Sequence, residues 1–147
     1  MSLFQAFNIN TSGMTAQRFR MDVISQNVAN VNTTRTENGT PYTRKIVSFE
    51  EKQTTPFSKV LQNSREAYIG NGVKVSTLKE DTTTDYVQKY DPSHPDADEN
   101  GYVSYPNVNI VTEMTNMIDA SRSYEANATA FETSKAMALK GLELGRN

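Results

Sequence analysis

The sequence predicts an α+β protein in which two long terminal helices pair as a coiled-coil-like layer, with a small β-rich domain inserted between them. Apolar residues recur in heptads at both ends of the chain. The middle instead shows turn signals and short segments rich in β-formers. Hydrophobic residues make up 36% of the 147 residues, below the roughly 45–50% typical of globular domains. A single large core is therefore not expected.

The first element is a helix predicted over residues 2–31. Its apolar seam consists of Phe7, Met14, Met21 and Val28, with Ile24 on the adjacent seam. Gly13 interrupts the pattern and costs about 1 kcal/mol relative to alanine. A break or kink is therefore expected near Asn10–Gly13. Short polar side chains from Asn30 onward compete for backbone groups and end the helix.

Residues 33–105 are predicted to form the small β-rich middle domain. Tyr42–Phe49, the alternating Val73–Thr77 segment and Tyr86–Tyr90 are expected strands. Asn38-Gly39 and the Gly70–Gly72 segment are turn signals. Residues 50–69 show no clear period and are predicted to be a variable loop.

A second helix is predicted over residues 107–145, with Asn107 or Asn109 as its N-cap. Its seam residues are Ile110, Met114, Met117, Tyr124, Ala128 and Phe131, and Ser121 is a polar exception. Residues 1–32 and 106–147 are therefore expected to form one discontinuous helical core domain. The β-rich domain of residues 33–105 interrupts it.

The two narrow stripes leave the mode of pairing open. Two helices that meet along one seam bury little apolar surface compared with the conformational entropy lost on folding. Copies in an assembly can supply the missing burial. A monomeric helical hairpin capped by a small sheet is the alternative, and periodicity does not separate the two.

Charge and composition exclude several classes of protein. The net charge is −2 and the pI is about 5.4, which gives no electrostatic basis for binding nucleic acid or an anionic membrane. The absence of cysteine excludes disulfides and cysteine-ligated metals. Direct membrane insertion is not expected, because the chain contains no run of about 18 apolar residues. A cleaved secretory signal is not expected either, since residues 1–17 contain no Lys or Arg.

One loop resembles a metal-binding motif. In Asp96–Gly101 (DADENG), the side chains of Asp96, Asp98 and Asn100 alternate before a glycine, as in the first half of an EF-hand loop. The twelfth position is Asn107 instead of the bidentate glutamate, and two prolines upstream preclude a regular entering helix. A polar turn that leads into a strand is favoured, with a calcium-responsive binding module as the alternative.

Catalytic chemistry has little support in the sequence. His94 is the only histidine, and it lies in a loop between Ser93 and Pro95. The acidic residues are scattered, and no nucleophile–base pair is visible. The chain is therefore predicted not to be an enzyme, and no cofactor is expected.

Two groups of motifs resemble a known family. Gly13–Arg18 (GMTAQR), followed by Ser25–Thr33 (SQNVANVNT), resembles the N-terminal signature of bacterial flagellar rod and hook proteins. Asp98–Glu113 and Ala120–Asn127 (ASRSYEAN) resemble the basal-body rod proteins of the proximal rod. The resemblance covers roughly residues 3–49 and 70–145.

This resemblance implies a structural subunit of the flagellum. Family members assemble with other rod subunits and with copies of themselves into an axial drive shaft around an export channel. The flagellar type III export apparatus delivers them, without a cleaved signal, to the extracytoplasmic basal body. The Asp96–Gly101 loop is then a family turn. The residues implied at inter-helix or inter-subunit contacts are Ser25, Asn27, Asn30, Asn32, Ser121, Tyr124 and Asn127.

Overall fold

The computed structural model describes residues 3–52 and 70–145. The elements, in chain order, are α1 (Leu3–Ala29), β1 (Lys45–Glu51), β2 (Val73–Glu80), β3 (Val87–Tyr90), β4 (Tyr102–Tyr105) and α2 (Ile110–Leu144). Two long terminal helices thus enclose a small antiparallel β region in the sequence, which confirms the α+β prediction. Most of the predicted variable loop, residues 53–69, lies outside the described residues.

Helix α1 continues unbroken for 27 residues. The helix therefore has no break at the position expected near Asn10–Gly13. Gly13 lies against the side chain of Asn127 in α2, so its missing β-carbon makes room for a neighbour and does not interrupt the helix. After Ala29, the Asn30 Nδ2 donates a hydrogen bond to the Gln26 carbonyl and closes the last turn.

The β region consists of two two-stranded sheets, β1–β2 and β3–β4. In the second sheet, Val87 pairs with Tyr105 and Tyr90 pairs with Tyr102 in antiparallel register. The turn before β4 requires Gly101, whose φ is +81°. The predicted polar turn into a strand is confirmed at this position.

Helix α2 runs for 35 residues, and Asn109 is its N-cap. The Asn109 Oδ1 accepts hydrogen bonds from the backbone amides of Val111 and Thr112 at 3.0 and 3.2 Å. Asn107, the other candidate cap, uses its side chain elsewhere. Within the described ranges, neither helix is long and apolar enough to cross a membrane.

The described residues group into two compact units. The first unit contains the described residues of Met1–Phe19, Ser48–Ser76 and Ala120–Asn147, and the second contains Arg20–Val47 and Thr77–Asp119. Each helix contributes one segment to each unit. The predicted division into a helical core domain and a middle domain follows chain order instead, and it stays a prediction.

In the first unit, α1 contacts α2 and the start of β2. The rings of Phe7 and Phe131 lie 5.0 Å apart, centroid to centroid. The Ser12 Oγ donates to the Ile9 carbonyl and accepts from the Val73 amide at 3.0 Å. This dual hydrogen bond satisfies the first amide of β2, so a helix side chain fixes where the strand begins.

Candidate functional site

In the second unit, the side chain of Asn27 is buried with a complete set of hydrogen bonds. Its Nδ2 donates to the Lys45 carbonyl at 2.9 Å and to Glu113 Oε2 at 3.0 Å. Its Oδ1 accepts from the Tyr42 hydroxyl and from the Lys45 amide, each at 2.9 Å. An amide offers two donors and commonly two acceptor positions. Asn27 therefore ties α1 to the start of β1 and to α2 with no unused group.

Glu113 is a fully buried carboxylate in the first turn of α2. Its Oε1 accepts from Arg44 Nε at 2.9 Å and from Arg44 Nη2 at 2.7 Å. The second terminal nitrogen of Arg44, Nη1, lies 3.7 Å from the Asp81 carboxylate. The partial positive charge at a helix N-terminus favours a carboxylate there. The buried charge of Glu113 is thus paired and hydrogen-bonded, as burial of a charge requires.

Asn107 completes the arrangement just before α2 begins. Its Oδ1 accepts from the Arg44 amide at 2.8 Å. Its Nδ2 donates to the carbonyls of Asp81 and Thr84 at 2.8 and 3.0 Å. We call Asn27, Arg44, Asn107 and Glu113 the polar cluster. It joins α1, the residue before β1, the turn after β2 and the start of α2.

Tyr42 titrates in the field of this cluster. Burial raises the pKa of the Tyr42 hydroxyl above its ordinary value of 10.0, and the negative charges of Glu113 and Glu80 raise it further. The neutral hydroxyl is the form that donates to Asn27 Oδ1. Burial first, and then the charges of Glu113 and Glu80, therefore favour the neutral, donating form of the Tyr42 hydroxyl.

A second feature of this unit is an exposed apolar face. Val111, Met114 and Ile118 of α2 are 74%, 58% and 53% exposed, and their spacing places them on one side of the helix. Beside them lies a groove of about 410 Å³, lined by α1 residues 24, 25, 28 and 29 and α2 residues 113, 114, 117 and 118. We call this groove and the three exposed side chains the apolar face.

The predicted seam residues differ in burial. Ile24 is buried, whereas Ile110 and Met114 are exposed. Those that are partly exposed are Phe7, Met14, Met21, Val28, Met117, Tyr124, Ala128 and Phe131. Their role as an assembly seam stays a prediction.

The predicted contact residues also fall into different settings. Asn27 belongs to the polar cluster, whereas Ser25 and Asn32 are exposed. Those with partial exposure are Asn30, Ser121, Tyr124 and Asn127. Asn27 forms long-range contacts within this chain, and the inter-subunit role of the set stays a prediction.

Arg44 and Glu113 were not among the site residues predicted from the sequence. Glu113 lies 86 positions from Asn27 and 69 from Arg44, so no local pattern connects the three. A single carboxylate in a first helical turn is also an ordinary helix-capping signal. Only the fold shows that this carboxylate meets an arginine and an asparagine.

In the Asp96–Gly101 loop, the carboxylates of Asp96 and Asp98 accept hydrogen bonds from other groups of this chain. Asp96 Oδ2 accepts from the Thr34 hydroxyl at 2.8 Å. Asp98 Oδ1 accepts from the amides of Asn100 and Tyr102 at 3.0 and 2.7 Å. In residues 3–52 and 70–145, no group of three or more His, Cys, Asp or Glu side chains is placed to hold a metal ion. The calcium alternative has no support.

Two family models match the ends of the chain. The model described as "Flagella basal body rod protein" matches residues 7–35. The model described as "Flagellar basal body rod FlgEFG protein C-terminal" matches residues 99–144. The first range includes Asn27, and the second includes Asn107 and Glu113. The matched segments thus provide three of the four members of the polar cluster.

Curated relatives match nearly the whole chain. The flagellar basal-body rod protein FlgC of Bacillus subtilis is 47% identical over 99% of this chain and 100% of its own length. FlgC of Borreliella burgdorferi is 46% identical over 93% of each chain. FlgC of Escherichia coli O6:H1 is 38% identical over 99% of this chain and 100% of its own length. The chain belongs to the FlgC family of flagellar basal-body rod proteins.

Proposed function

We propose that this chain is a structural subunit of the proximal part of the flagellar basal-body rod. It assembles with copies of itself and with other rod subunits into the axial drive shaft that also forms the wall of the export channel. The relatives that carry the name of rod protein align along almost the full chain, and this alignment supports the assignment. A structural role without catalytic activity is part of the proposal.

The observation that carries the proposal is the apolar face of the second unit. Val111, Met114 and Ile118 expose large apolar side chains to solvent on one side of α2. Contiguous exposed apolar surface of this kind marks interaction sites in soluble proteins. A neighbouring rod subunit that covers the face removes this surface from water. The face therefore fits a subunit whose burial is completed by assembly.

Location and delivery follow from the same family membership. We place the subunit in the basal body, outside the cytoplasm, after export by the flagellar type III apparatus without a cleaved signal. These parts of the proposal rest on the resemblance to rod proteins. The test is to compare the amounts of the protein inside and outside the cytoplasm in a strain that lacks the export apparatus. We expect the protein to be retained in the cytoplasm there.

The apolar face is tested by the double substitution Met114→Glu with Ile118→Lys. The new pair has the i,i+4 order that stabilises helices, and the two changes together leave the net charge of the chain unchanged. We expect α2 to form but the rod to fail, because a neighbouring subunit would have to bury two charges. The measurement is swimming in soft agar and imaging of isolated basal bodies, in cells that carry only the variant.

The matched control is Thr129→Glu with Thr133→Lys, at exposed positions of the same helix with the same spacing and with the same unchanged net charge. We expect the control to swim and to contain complete rods. Circular dichroism of each purified variant shows whether the helices persist. Normal swimming and complete rods in the Met114→Glu, Ile118→Lys strain would contradict the proposed role of the face.

A further inference from the structure

We propose that the polar cluster determines the register of α1 against α2 in the second unit. It selects one alignment of two helices whose apolar residues permit several. This inference goes beyond the role of the chain in the rod, because it concerns how one subunit reaches a single structure. It rests on the geometry of Asn27, Arg44 and Glu113.

The apolar residues by themselves define the register poorly. On α2, Ile110, Met117 and Tyr124 are all apolar and recur every seven residues. On α1, Met21 and Val28 have the same period. A slip of α2 by one heptad therefore replaces Met117, which lines the groove with Ile24 and Val28 of α1, by Ile110 or Tyr124. Non-directional apolar contacts distinguish such alignments weakly.

The polar cluster does not tolerate this slip. The residue seven positions before Glu113 is Pro106, and the residue seven positions after it is Ala120. Neither side chain has a hydrogen-bond acceptor. In a slipped alignment, Asn27 Nδ2 and the Arg44 guanidinium face a side chain that cannot accept, and the Glu113 carboxylate leaves its partners. Only the observed register satisfies all three groups.

The chemistry of the cluster suits selection better than net stabilisation. Burial of an ion pair removes the hydration of both charges, and the attraction between the charges offsets this cost only in part. Well-packed apolar residues can therefore often replace such a pair without loss of stability. A wrong alignment, however, leaves buried charge and donors unpaired. Single buried polar residues fix the register of coiled coils in this way. The pair Arg44–Glu113 thus penalises alternatives more than it stabilises the native state.

The test is the double substitution Arg44→Met with Glu113→Leu, which replaces the ion pair by apolar side chains. Asp81 keeps the hydroxyls of Thr83 and Thr84 as partners. The chain has no cysteine, so spin labels go onto Asp22→Cys and Asp119→Cys, at two exposed positions of the second unit. Pulsed electron paramagnetic resonance then measures the distance distribution between the helices.

We expect one narrow distance in the labelled parent chain and at least two populations in the Arg44→Met, Glu113→Leu variant. A heptad slip moves one helix along the other by about 10 Å, which the method resolves. Helical circular dichroism is expected to stay close to that of the parent. The urea midpoint is expected to fall modestly, because one Nδ2 hydrogen of Asn27 loses its Glu113 acceptor. The matched control is Glu50→Leu with Lys74→Met, which removes an exposed ion pair. The control should keep the single distance.

Each remaining outcome overturns the inference. A single, unchanged distance in the Arg44→Met, Glu113→Leu variant shows that apolar packing sets the register. Loss of helical signal in that variant shows that the pair serves stability. A parent chain without one defined distance shows that the cluster does not select an alignment in the free subunit. None of these results bears on whether the chain builds the rod.

Discussion

A β-carbon on Gly13 would lie 2.6 Å from the Oδ1 atom of Asn127. Asn127 is held in place, because its Nδ2 donates to the Ser123 carbonyl at 2.7 Å. The close approach of α1 and α2 in the first unit therefore depends on a glycine in the middle of a helix. The contact outweighs the low helix propensity of that residue.

Replacement of Gly13 by alanine is expected to lower the free energy of unfolding by about 1 kcal/mol. The added methyl group collides with the Asn127 amide, and overpacking of this kind costs about 1–3 kcal/mol. The gain in helix propensity returns only about 1 kcal/mol. Urea denaturation followed by circular dichroism measures the difference.

The Asn127→Ala background is the control for this contact. There the same Gly13→Ala change meets no amide and should raise the free energy of unfolding by up to about 1 kcal/mol. An equal gain in both backgrounds would show that the Gly13–Asn127 contact carries no energetic weight.

Substitution of Asn27 by alanine is expected to cost roughly 3 kcal/mol in the free energy of unfolding. The change leaves the buried Glu113 Oε2 without its partner, which costs about 1–3 kcal/mol. It also removes the partner of the Tyr42 hydroxyl and of both backbone groups of Lys45, which are partly exposed and can turn to water in part. Asn30→Ala is the matched control, since the Asn30 side chain bonds within its own helix end, to Gln26 and Thr33. Its cost should stay below about 1 kcal/mol, and equal losses in the two variants would contradict the prediction.

Alkaline pH is expected to destabilise the second unit through Tyr42. Its pKa in the folded chain is raised above 10.0, by burial first and then by Glu113 and Glu80. A raised pKa means that folding favours the neutral form, so the stability it contributes is complete below pH 10 or so. That stability is lost as pH rises through the folded-state pKa.

The measurement is the melting temperature between pH 8 and the alkaline limit of the folded state. Tyr42→Phe should show a shallower decline above pH 10 or so than the parent chain, although it starts from a lower value because the hydrogen bond to Asn27 is gone. Tyr90→Phe, at a residue that is 64% exposed, is the matched loss of one hydroxyl and should retain the parent slope. Parallel curves for all three chains would refute the prediction.

Gly101 and Gly39 separate backbone strain from packing. Both have positive φ, at +81° and +77°, but no atom of the described residues lies within 4 Å of a β-carbon on Gly39. A β-carbon on Gly101 would lie 3.0 Å from the Tyr90 ring. Left-handed backbone costs a non-glycine residue about 1–2 kcal/mol. Gly39→Ala should lower the free energy of unfolding by about that much, measured by urea denaturation. Gly101→Ala should lower it by at least about 1 kcal/mol more, because its methyl group meets the Tyr90 ring. Equal losses in the two variants would show that this contact contributes nothing.

Local patterns were sufficient for most elements. The heptads located α1 and α2 to within a few residues, and alternation located β2, because side-chain period follows directly from backbone geometry. The same patterns failed at Gly13, where propensity predicted a break. Propensity describes an isolated helix, whereas the fate of Gly13 depends on Asn127, which lies far away in the chain.

The polar cluster shows the same limit. The resemblance indicated Asn27, but Arg44 and Glu113 lack any local signal because their partners are dozens of residues away. The choice between Asn107 and Asn109 as N-cap also required the fold, since Asn107 is occupied by Arg44, Asp81 and Thr84. Cap preference is equal for two asparagines until one finds other partners.

The sequence by itself determined the α+β plan, the two long helices and the family, since these depend on periodicity and on short motifs. The tertiary structure alone decided which polar side chains become buried together and which apolar side chains remain exposed. Glu113 is fully buried, whereas Met114, its neighbour in the chain, is 58% exposed. A heptad pattern gives the period of a helix face but not the direction in which that face meets the rest of the protein. That direction is set by directional hydrogen bonds between residues far apart in the chain, which local sequence does not contain.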